Sequence, residues 1–297
     1  MKCLSCKKEG EIRVEVGSFC KECFIRYYER KVERIVKKFK MIVPGDRVLV
    51  AVSGGKDSSS CLFLLSKLKK KIGFELEALY IDLGMEECTN PRTEAIVKKL
   101  CRQLEVKLNI LRMKEIVEKG IKEVARERRR PVCSVCGVVK RYLMNKYTRE
   151  WGFNKLATGH NADDIVRFFF KNWLSGNLEW IAKLKPIVPS THPKLVTRIR
   201  PLFECTEKEN YAYASIRGFH FVSCTRCSYM LRKDKWREIL EFLEKKRRGF
   251  KISFVKNLEK LEMRIPEKKL RECEVCGEPT NLKICSFCKM FRQGGKG

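Results

Sequence analysis

The amino-acid sequence predicts an α/β fold built on a doubly wound, mostly parallel sheet, with a small cysteine-based module at each end. Three observations predict it. Strand-like and helix-like runs alternate through the middle of the chain. One strand, Val48-Leu49-Val50-Ala51-Val52, runs directly into the turn Ser53-Gly54-Gly55-Lys56-Asp57-Ser58. Paired Cys-x-x-Cys hooks lie near both ends. Alternation means a parallel sheet, because a parallel connection must cross back over the sheet, usually as a helix, before the next strand can pair.

In chain order, the first module is the quartet Cys3, Cys6, Cys20 and Cys23, whose two hooks can set four thiolates tetrahedrally around Zn²⁺. It is expected to be a zinc ribbon over residues 1–28. A catalytic domain over 29–230 follows. Its strands are expected at 47–52, 76–83, 107–113 and 155–158, and its helices at 58–68, 91–104, 138–151 and 162–174, the last entered through Asn161. The capping box Thr206-Glu207-Lys208-Glu209 opens a further helix, and 219–223 reads as a last strand. Residues 231–268 form a charged helical segment. A second ribbon, 269–297, carries Cys273, Cys276, Cys285 and Cys288, with Gly277 after the first hook letting the chain turn. Both quartets read as structural: four thiolates fill the metal's shell and leave no open position for a substrate.

Composition narrows the partner. The 297 residues carry 65 Lys plus Arg against 36 Asp plus Glu, a net charge of +29. Runs such as Lys67-Leu68-Lys69-Lys70-Lys71, Arg126-Glu127-Arg128-Arg129-Arg130 and Lys245-Lys246-Arg247-Arg248 concentrate it into patches that favour a polyanion. Lys-rich surfaces also accompany thermophily or plain solubility. No apolar run approaches the ~18 residues of a spanning helix and Met1-Lys2-Cys3 opens no signal peptide, so a cytoplasmic protein and a nucleic-acid partner, not a membrane, are expected. In a reducing compartment sixteen cysteines read as metal ligands or reactive thiols, with Cys61, Cys88, Cys101 and Cys205 as core residues.

The central turn carries the chemistry. Gly54 and Gly55 let the main chain approach phosphate, Lys56 supplies a positive charge, and Ser53 and Ser58 donate hydroxyls where backbone amides meet a helix N-terminus. It is not a Walker loop, since Val50 stands where the first glycine would be. Asp163 and Asp164, at a helix start after Gly159-His160-Asn161, offer carboxylates to Mg²⁺, though a helix N-terminus attracts Asp for dipole reasons alone. Cys133 and Cys136, in Pro131-Val132-Cys133-Ser134-Val135-Cys136-Gly137, follow an arginine run and precede a helix with Lys140 and Arg141. Such a setting favours thiolates; a buried structural pair is the bland alternative. A further pair, Cys224 and Cys227, lies in Cys224-Thr225-Arg226-Cys227-Ser228-Tyr229.

The Ser53–Ser58 hexapeptide resembles the signature of the N-type ATP pyrophosphatases, whose fold is of the adenine nucleotide alpha hydrolase type and which cleave ATP between the α and β phosphates to adenylate a carbonyl oxygen. Thr158-Gly159-His160-Asn161-Ala162-Asp163-Asp164 resembles the second nucleotide-side motif of their tRNA-modifying members. With the Cys-x-x-Cys-Gly, the later cysteine and both ribbons, nearly the whole chain is similar to the tRNA 2-thiouridine synthetases. The resemblance implies ATP binding by Ala51, Ser53, Gly54, Gly55, Lys56, Asp57, Ser58, Ile81, Gly137, Thr158 and Gly159. It implies catalytic roles for Lys56, Cys133, Cys136, Cys227, Asp163 and Asp164, and a 4Fe-4S cluster on Cys133, Cys136 and Cys227. Cys227 is preferred to Cys224 because Cys227-Ser228-Tyr229 keeps the family's spacing from cysteine to tyrosine. It further implies a sulfur donor, a ubiquitin-like thiocarboxylate carrier or sulfide, and allows a homodimer. Where relatives carry Glu after the paired Asp, this chain has Ile165-Val166-Arg167, and Leu83-Gly84-Met85-Glu86-Glu87-Cys88 lacks their glycine-rich continuation.

The expected activity is therefore ATP-dependent, AMP- and pyrophosphate-forming thiolation of a tRNA uridine. Cytidine thiolation or another adenylating tRNA modification would use the same fold, and a non-catalytic tRNA-binding zinc-ribbon protein is the rival of a different class.

Overall fold

The computed structural model describes residues 1–87, 89–221, 235–262 and 269–292. A hairpin, β1 (Ile12–Val14) and β2 (Gly17–Phe19), leads into α1 (Lys21–Lys38). The buried side of α1 carries Phe24, Tyr28, Val32, Ile35 and Val36, the three-to-four-residue spacing of one helical face. The central unit follows as β3 (Arg47–Ala51), α2 (Lys56–Ile72), β4 (Glu75–Asp82), α3 (Pro91–Gln103) and β5 (Lys107–Arg112). Next come α4 (Ile121–Glu127), α5 (Val132–Glu150), β6 (Lys155–Thr158), α6 (Ala162–Leu174) and α7 (Leu178–Ala182). Then β7 (Ile187–Val188), β8 (Thr197–Ile199), α8 (Glu207–Ile216), α9 (Lys235–Lys246) and α10 (Phe250–Lys260) complete the body. The short pair β9 (Arg271–Glu272) and β10 (Pro279–Thr280) and helix α11 (Ser286–Phe291) form the last module.

Six strands make one sheet in the order β5-β4-β3-β6-β8-β7, parallel throughout except for β7 at the edge. The chain turns outward in one direction from β3 through β4 and β5, and in the other through β6 and β8. The strand order thus reverses between β3 and β6, where doubly wound sheets open a crevice beyond the strands' carboxyl ends. Both faces are covered. Val48 and Val50 pack with the α1, α2 and α3 side while Leu49 packs with the α4 and α5 side, which explains why β3 reads as a continuous apolar run.

Two expectations are corrected. The helix expected at 138–151 starts at Val132, so Cys133, Cys136 and Gly137 lie in its first turns. Pro131 at the cap, with φ −57°, is already set for helix entry and makes the earlier start legible in principle. Residues 219–221 are not a strand; Phe219 closes α8 and packs on Phe63 and Tyr213, and 222–223 lie outside the described residues. The sheet is completed instead by β8 and β7, too short for periodicity to reveal. The 231–268 segment contains two helices, α9 and α10, which pack on α6 through a third apolar cluster.

The ribbons are seated on the core. α1 crosses residue 28 and joins the first module to the core through Phe24 and Tyr28, and Cys3 and Cys23 share that core. Cys273, Cys285, Phe287 and Cys288 share the core beneath α5. Of the single cysteines, Cys61, Cys101 and Cys205 are buried as expected, and Cys88 lies outside the described residues. Part of the Lys67–Lys71 cluster also serves the fold, since Lys67 pairs with Glu29 at 2.6 Å and Lys71 pairs with Glu33, both on α1. Among the described residues no helix is long and apolar enough to cross a membrane.

Candidate active site

The turn between β3 and α2 stands at the switch point. Ser58 Oγ accepts the Ser53 N–H at 3.1 Å and donates to the Gly55 carbonyl at 3.1 Å, so the serine closes the turn. Gly54 has φ +75°, and a Cβ there would lie 2.7 Å from Thr93 Cγ2, so neither backbone nor space admits a side chain. Gly159, beyond β6, is held as closely: a Cβ would meet the Ser58 nitrogen at 2.8 Å and the Asp57 carbonyl carbon at 2.9 Å. The motifs at 53–58 and 158–164, about a hundred residues apart, are thus one structure, with Asn161 Nδ2 donating to Asp57 Oδ1 at 3.1 Å.

Lys56 Nζ lies 3.0 Å from Asp57 Oδ2 and 3.1 Å from Glu207 Oε1. Burial opposes its charge, but the two carboxylates outweigh burial and hold the ammonium above its ordinary range. Asp163 accepts the Glu207 N–H at 2.7 Å and pairs with Lys251. Asp164 completes a capping box with Asn161 and pairs with Arg167 at 2.6 Å. Burial pushes the Asp164 carboxyl up to about 6 against the pull of Arg167. Both carboxylates are therefore already engaged by cations and backbone amides. Asp57 is held from a third side by Asn210 Nδ2 at 2.7 Å, whose Oδ1 accepts the Tyr28 hydroxyl at 2.5 Å. The sequence singled out neither Asn210 nor Tyr28, and Glu207 only as part of a capping box; no local signal marks any of them as a site residue.

The opposite wall is α5. A helix that precedes a parallel strand begins at the strands' carboxyl end, so the first turns of α5 lie at the same end of the sheet as the phosphate turn. Lys140, Arg167, Arg198 and Arg200 converge on His160 from α5, α6 and the β8 region, and burial together with these cations pushes its imidazole down to about 3. His160 is neutral, its Nδ1 2.8 Å from the Thr158 hydroxyl. The result is a cationic floor suited to a polyanionic substrate. Cys133 is exposed and Cys136 half-buried. Three residues apart, they lie on one helix face in its first turns, with Cβ atoms about 5–6 Å apart. Two thiols on one face beside cations suit a shared anionic cluster; Cys227 and Cys224 lie outside the described residues. Ala51 and Thr158 end the two central strands and Ile81 stands near the end of β4, all bordering the crevice.

In each ribbon four thiol sulfurs lie within 4.8 Å of one another. The Cys6–Cys20 and Cys276–Cys285 sulfurs are 3.7 Å apart, close to the ~3.8 Å edge of a tetrahedron with 2.3 Å Zn–S bonds. The two four-cysteine donor sets suit a tetrahedral metal ion such as zinc.

The model of the PP-loop domain matches residues 26–225. The chain is 40% identical to the tRNA-5-methyluridine(54) 2-sulfurtransferase of Pyrococcus horikoshii over 98% of this chain and 94% of that one. It is 35% identical to the enzyme of the same name from Thermotoga maritima, over 99% and 97%. Among solved structures, the U34-tRNA thiolase NcsA from Methanococcus maripaludis, determined with its [4Fe-4S] cluster, superimposes with a TM-score of 0.82 at 28% identity, covering 98% of this chain and 95% of that one. With a phosphate turn at the switch point of a doubly wound sheet and similarity along its whole length, the chain belongs to the PP-loop family of tRNA 2-sulfurtransferases.

Proposed function

We propose that this protein thiolates a uridine of tRNA: it uses ATP to adenylate the 2-carbonyl oxygen, releasing pyrophosphate, and then replaces that oxygen with sulfur, releasing AMP. What supports the reading is that α2, which follows the phosphate turn, and α5, which carries Cys133 and Cys136 in its first turns, both start at the carboxyl end of the sheet, with His160 ringed by cations after β6. The order of steps follows from leaving-group chemistry. A carbonyl oxygen leaves poorly, whereas the adenylated oxygen leaves as AMP when sulfur bonds to C2.

The backbone amides after Gly54 and the start of α2 receive the ATP phosphates, and Lys56 exchanges Asp57 and Glu207 for phosphate oxygens as negative charge builds on pyrophosphate. Thr158 and Gly159 border the nucleotide from β6, Ala51 and Ile81 from β3 and β4, and Gly137 lets α5 approach it. For Asp163 and Asp164 to hold the Mg²⁺ that accompanies ATP, Lys251 and Arg167 release them as the metal enters. Cys133, Cys136 and Cys227 hold the cluster. When bound, a three-cysteine 4Fe-4S cluster supplies an iron without a protein ligand, a seat for incoming sulfur. The eight ribbon cysteines hold two structural zinc ions, and the division into residues 1–28, 29–230, 231–268 and 269–297 describes the modules. The donor is a ubiquitin-like thiocarboxylate or sulfide, the protein acts in the cytoplasm, and a homodimer is compatible with this scheme.

We place the target at uridine 54, because the relatives at 40% and 35% identity are named for that position. The test is nucleoside mass spectrometry of tRNA carrying uridine or 5-methyluridine at position 54, incubated anaerobically with cluster-loaded enzyme, ATP and sulfide, followed by nuclease mapping. A 2-thiouridine at position 54 is expected. Sulfur at position 34 would overturn the target, and no thiouridine would overturn the function.

A further inference from the structure

Trp180 lies on α7 with 47% of its surface exposed, beside an exposed run from Trp173 to Leu178 in which Trp173 is 55% and Leu174 71% accessible. Large apolar side chains this exposed ordinarily mark a contact surface. The surroundings of Trp180 are cationic. The Arg141 guanidinium carbon sits 5.2 Å from the ring centroid and Lys183 Nζ 5.7 Å from it. Arg141 lies on α5 itself, four residues after Gly137, where its Nη1 would lie 3.1 Å from a Cβ, and it interacts electrostatically with Cys136. An exposed indole is thus joined through one arginine to the turn of α5 that carries Cys133 and Cys136.

We propose that Trp180 is a stacking platform for an unstacked base of the RNA substrate next to the crevice, with Arg141 and Lys183 neutralising the phosphates on either side of it; this rests on the tRNA thiolation reading. Charge decides for RNA over an apolar protein partner. The indole stands among cations in a chain of net charge +29, and every base has a π-face that an indole accepts regardless of sequence. A uridine inside a folded tRNA is stacked, and its C2 is reached only when the base leaves the stack. A ring beside the thiol turn holds a displaced base in place while the reaction proceeds.

The experiment compares full-length, cluster-loaded wild type with Trp180→Ala and Trp180→Phe. The readouts are tRNA affinity, the KM for tRNA in thiolation, and 254 nm crosslinking of bound tRNA followed by peptide mass spectrometry. Trp180→Ala is expected to raise the Kd and KM for tRNA roughly 5- to 100-fold, the range of one base–aromatic stack. Trp180→Phe restores most of it, and the crosslink falls on the peptide carrying Trp180. Unchanged tRNA affinity in Trp180→Ala while wild type thiolates tRNA normally overturns the platform and leaves the function standing. If Trp180→Ala loses thiolation driven by a thiocarboxylate carrier but keeps sulfide-driven thiolation and tRNA affinity, the surface serves a protein partner and the proposal is wrong. Wild type that forms no thiouridine overturns the underlying reading instead.

Discussion

The two ribbons carry the same chemistry, four cysteines in paired hooks, yet they brace opposite walls of the crevice. The first continues through Cys20 and Cys23 into α1, whose Tyr28 hydroxyl holds Asn210, which in turn holds Asp57 in the phosphate turn. The last lies on α5. Phe287 stacks on Tyr142 with centroids 3.8 Å apart and planes within 1°, and Glu278 receives Arg149 at 2.5 and 3.0 Å. One module therefore supports the side of the phosphate turn and the other the side of Cys133 and Cys136. A local motif defines the cysteine module, and where it docks sets which wall it supports.

The largest expected effect is at the phosphate turn itself. Lys56→Ala removes the charge proposed to meet pyrophosphate and should lower AMP formation on the order of 10²–10³-fold while leaving tRNA affinity in place; radiolabelled ATP turnover measures it, and unchanged turnover refutes the role. Cys23→Ser and Cys276→Ser then separate the ribbons. Each should cost one equivalent of zinc by metal analysis. The first should depress AMP formation and thiolation together, whereas the second should leave tRNA-dependent AMP formation largely intact as 2-thiouridine falls. Equal losses of both activities in both variants would break the comparison.

Stability gives a third contrast. Lys31 and Glu209, 7% and 2% accessible, pair at 2.7 Å between α1 and α8. Removing the lysine in Lys31→Met strands a buried carboxylate and should cost about 3–5 kcal/mol. Phe287→Ala empties a fully packed position under α5 and should cost a similar ~3–5 kcal/mol. Denaturant melts give both values, and AMP formation assayed where each variant remains folded should suffer more from the change at Lys31.

The smallest effect lies between the two walls and depends on pH. His160 titrates near 3 in the folded protein and near 6.5 when unfolded, so the unfolded chain binds more protons between these values and stability falls as pH drops through that window. Asp164 titrates near 6 folded and near 3.8 unfolded, so there the folded chain binds more protons and stability falls as pH rises from about 4 to 6. The two slopes oppose each other. Asp164 keeps 24% of its side chain accessible, which trims its share to about 1–2 kcal/mol. His160→Gln should expose a stability that declines from pH 4 to 6, and Asp164→Asn one that rises. Parallel pH profiles for the two variants would show that neither group is shifted as stated.

Much of the molecule is legible residue by residue because its signals are local. Val48 to Val52 is apolar on both faces only because a parallel sheet buries both, and the glycines after it have no other use in that setting. Two hooks of cysteine need no neighbours to bring four thiols together at a candidate metal site. The start of α5 reads six residues late because Cys133, Ser134 and Gly137 have weak helix propensity, and a proline at the cap is equally at home in a turn. β7 and β8 carry two and three residues, below the length at which period-two alternation can be read.

By itself, then, the sequence determined the fold class, the phosphate turn, both four-cysteine modules and the thiol pair, since each follows from backbone geometry or ligand chemistry within a few residues. Only the tertiary structure decided that Glu207, Asn210 and Tyr28 stand around Lys56 and Asp57, that each ribbon grips a different wall, and that Trp180 meets Arg141 beside the thiol turn. Those contacts join residues from about forty to more than a hundred and fifty positions apart. No local periodicity encodes them, because they exist only once crossover connections have brought the carboxyl ends of separate strands to one crevice.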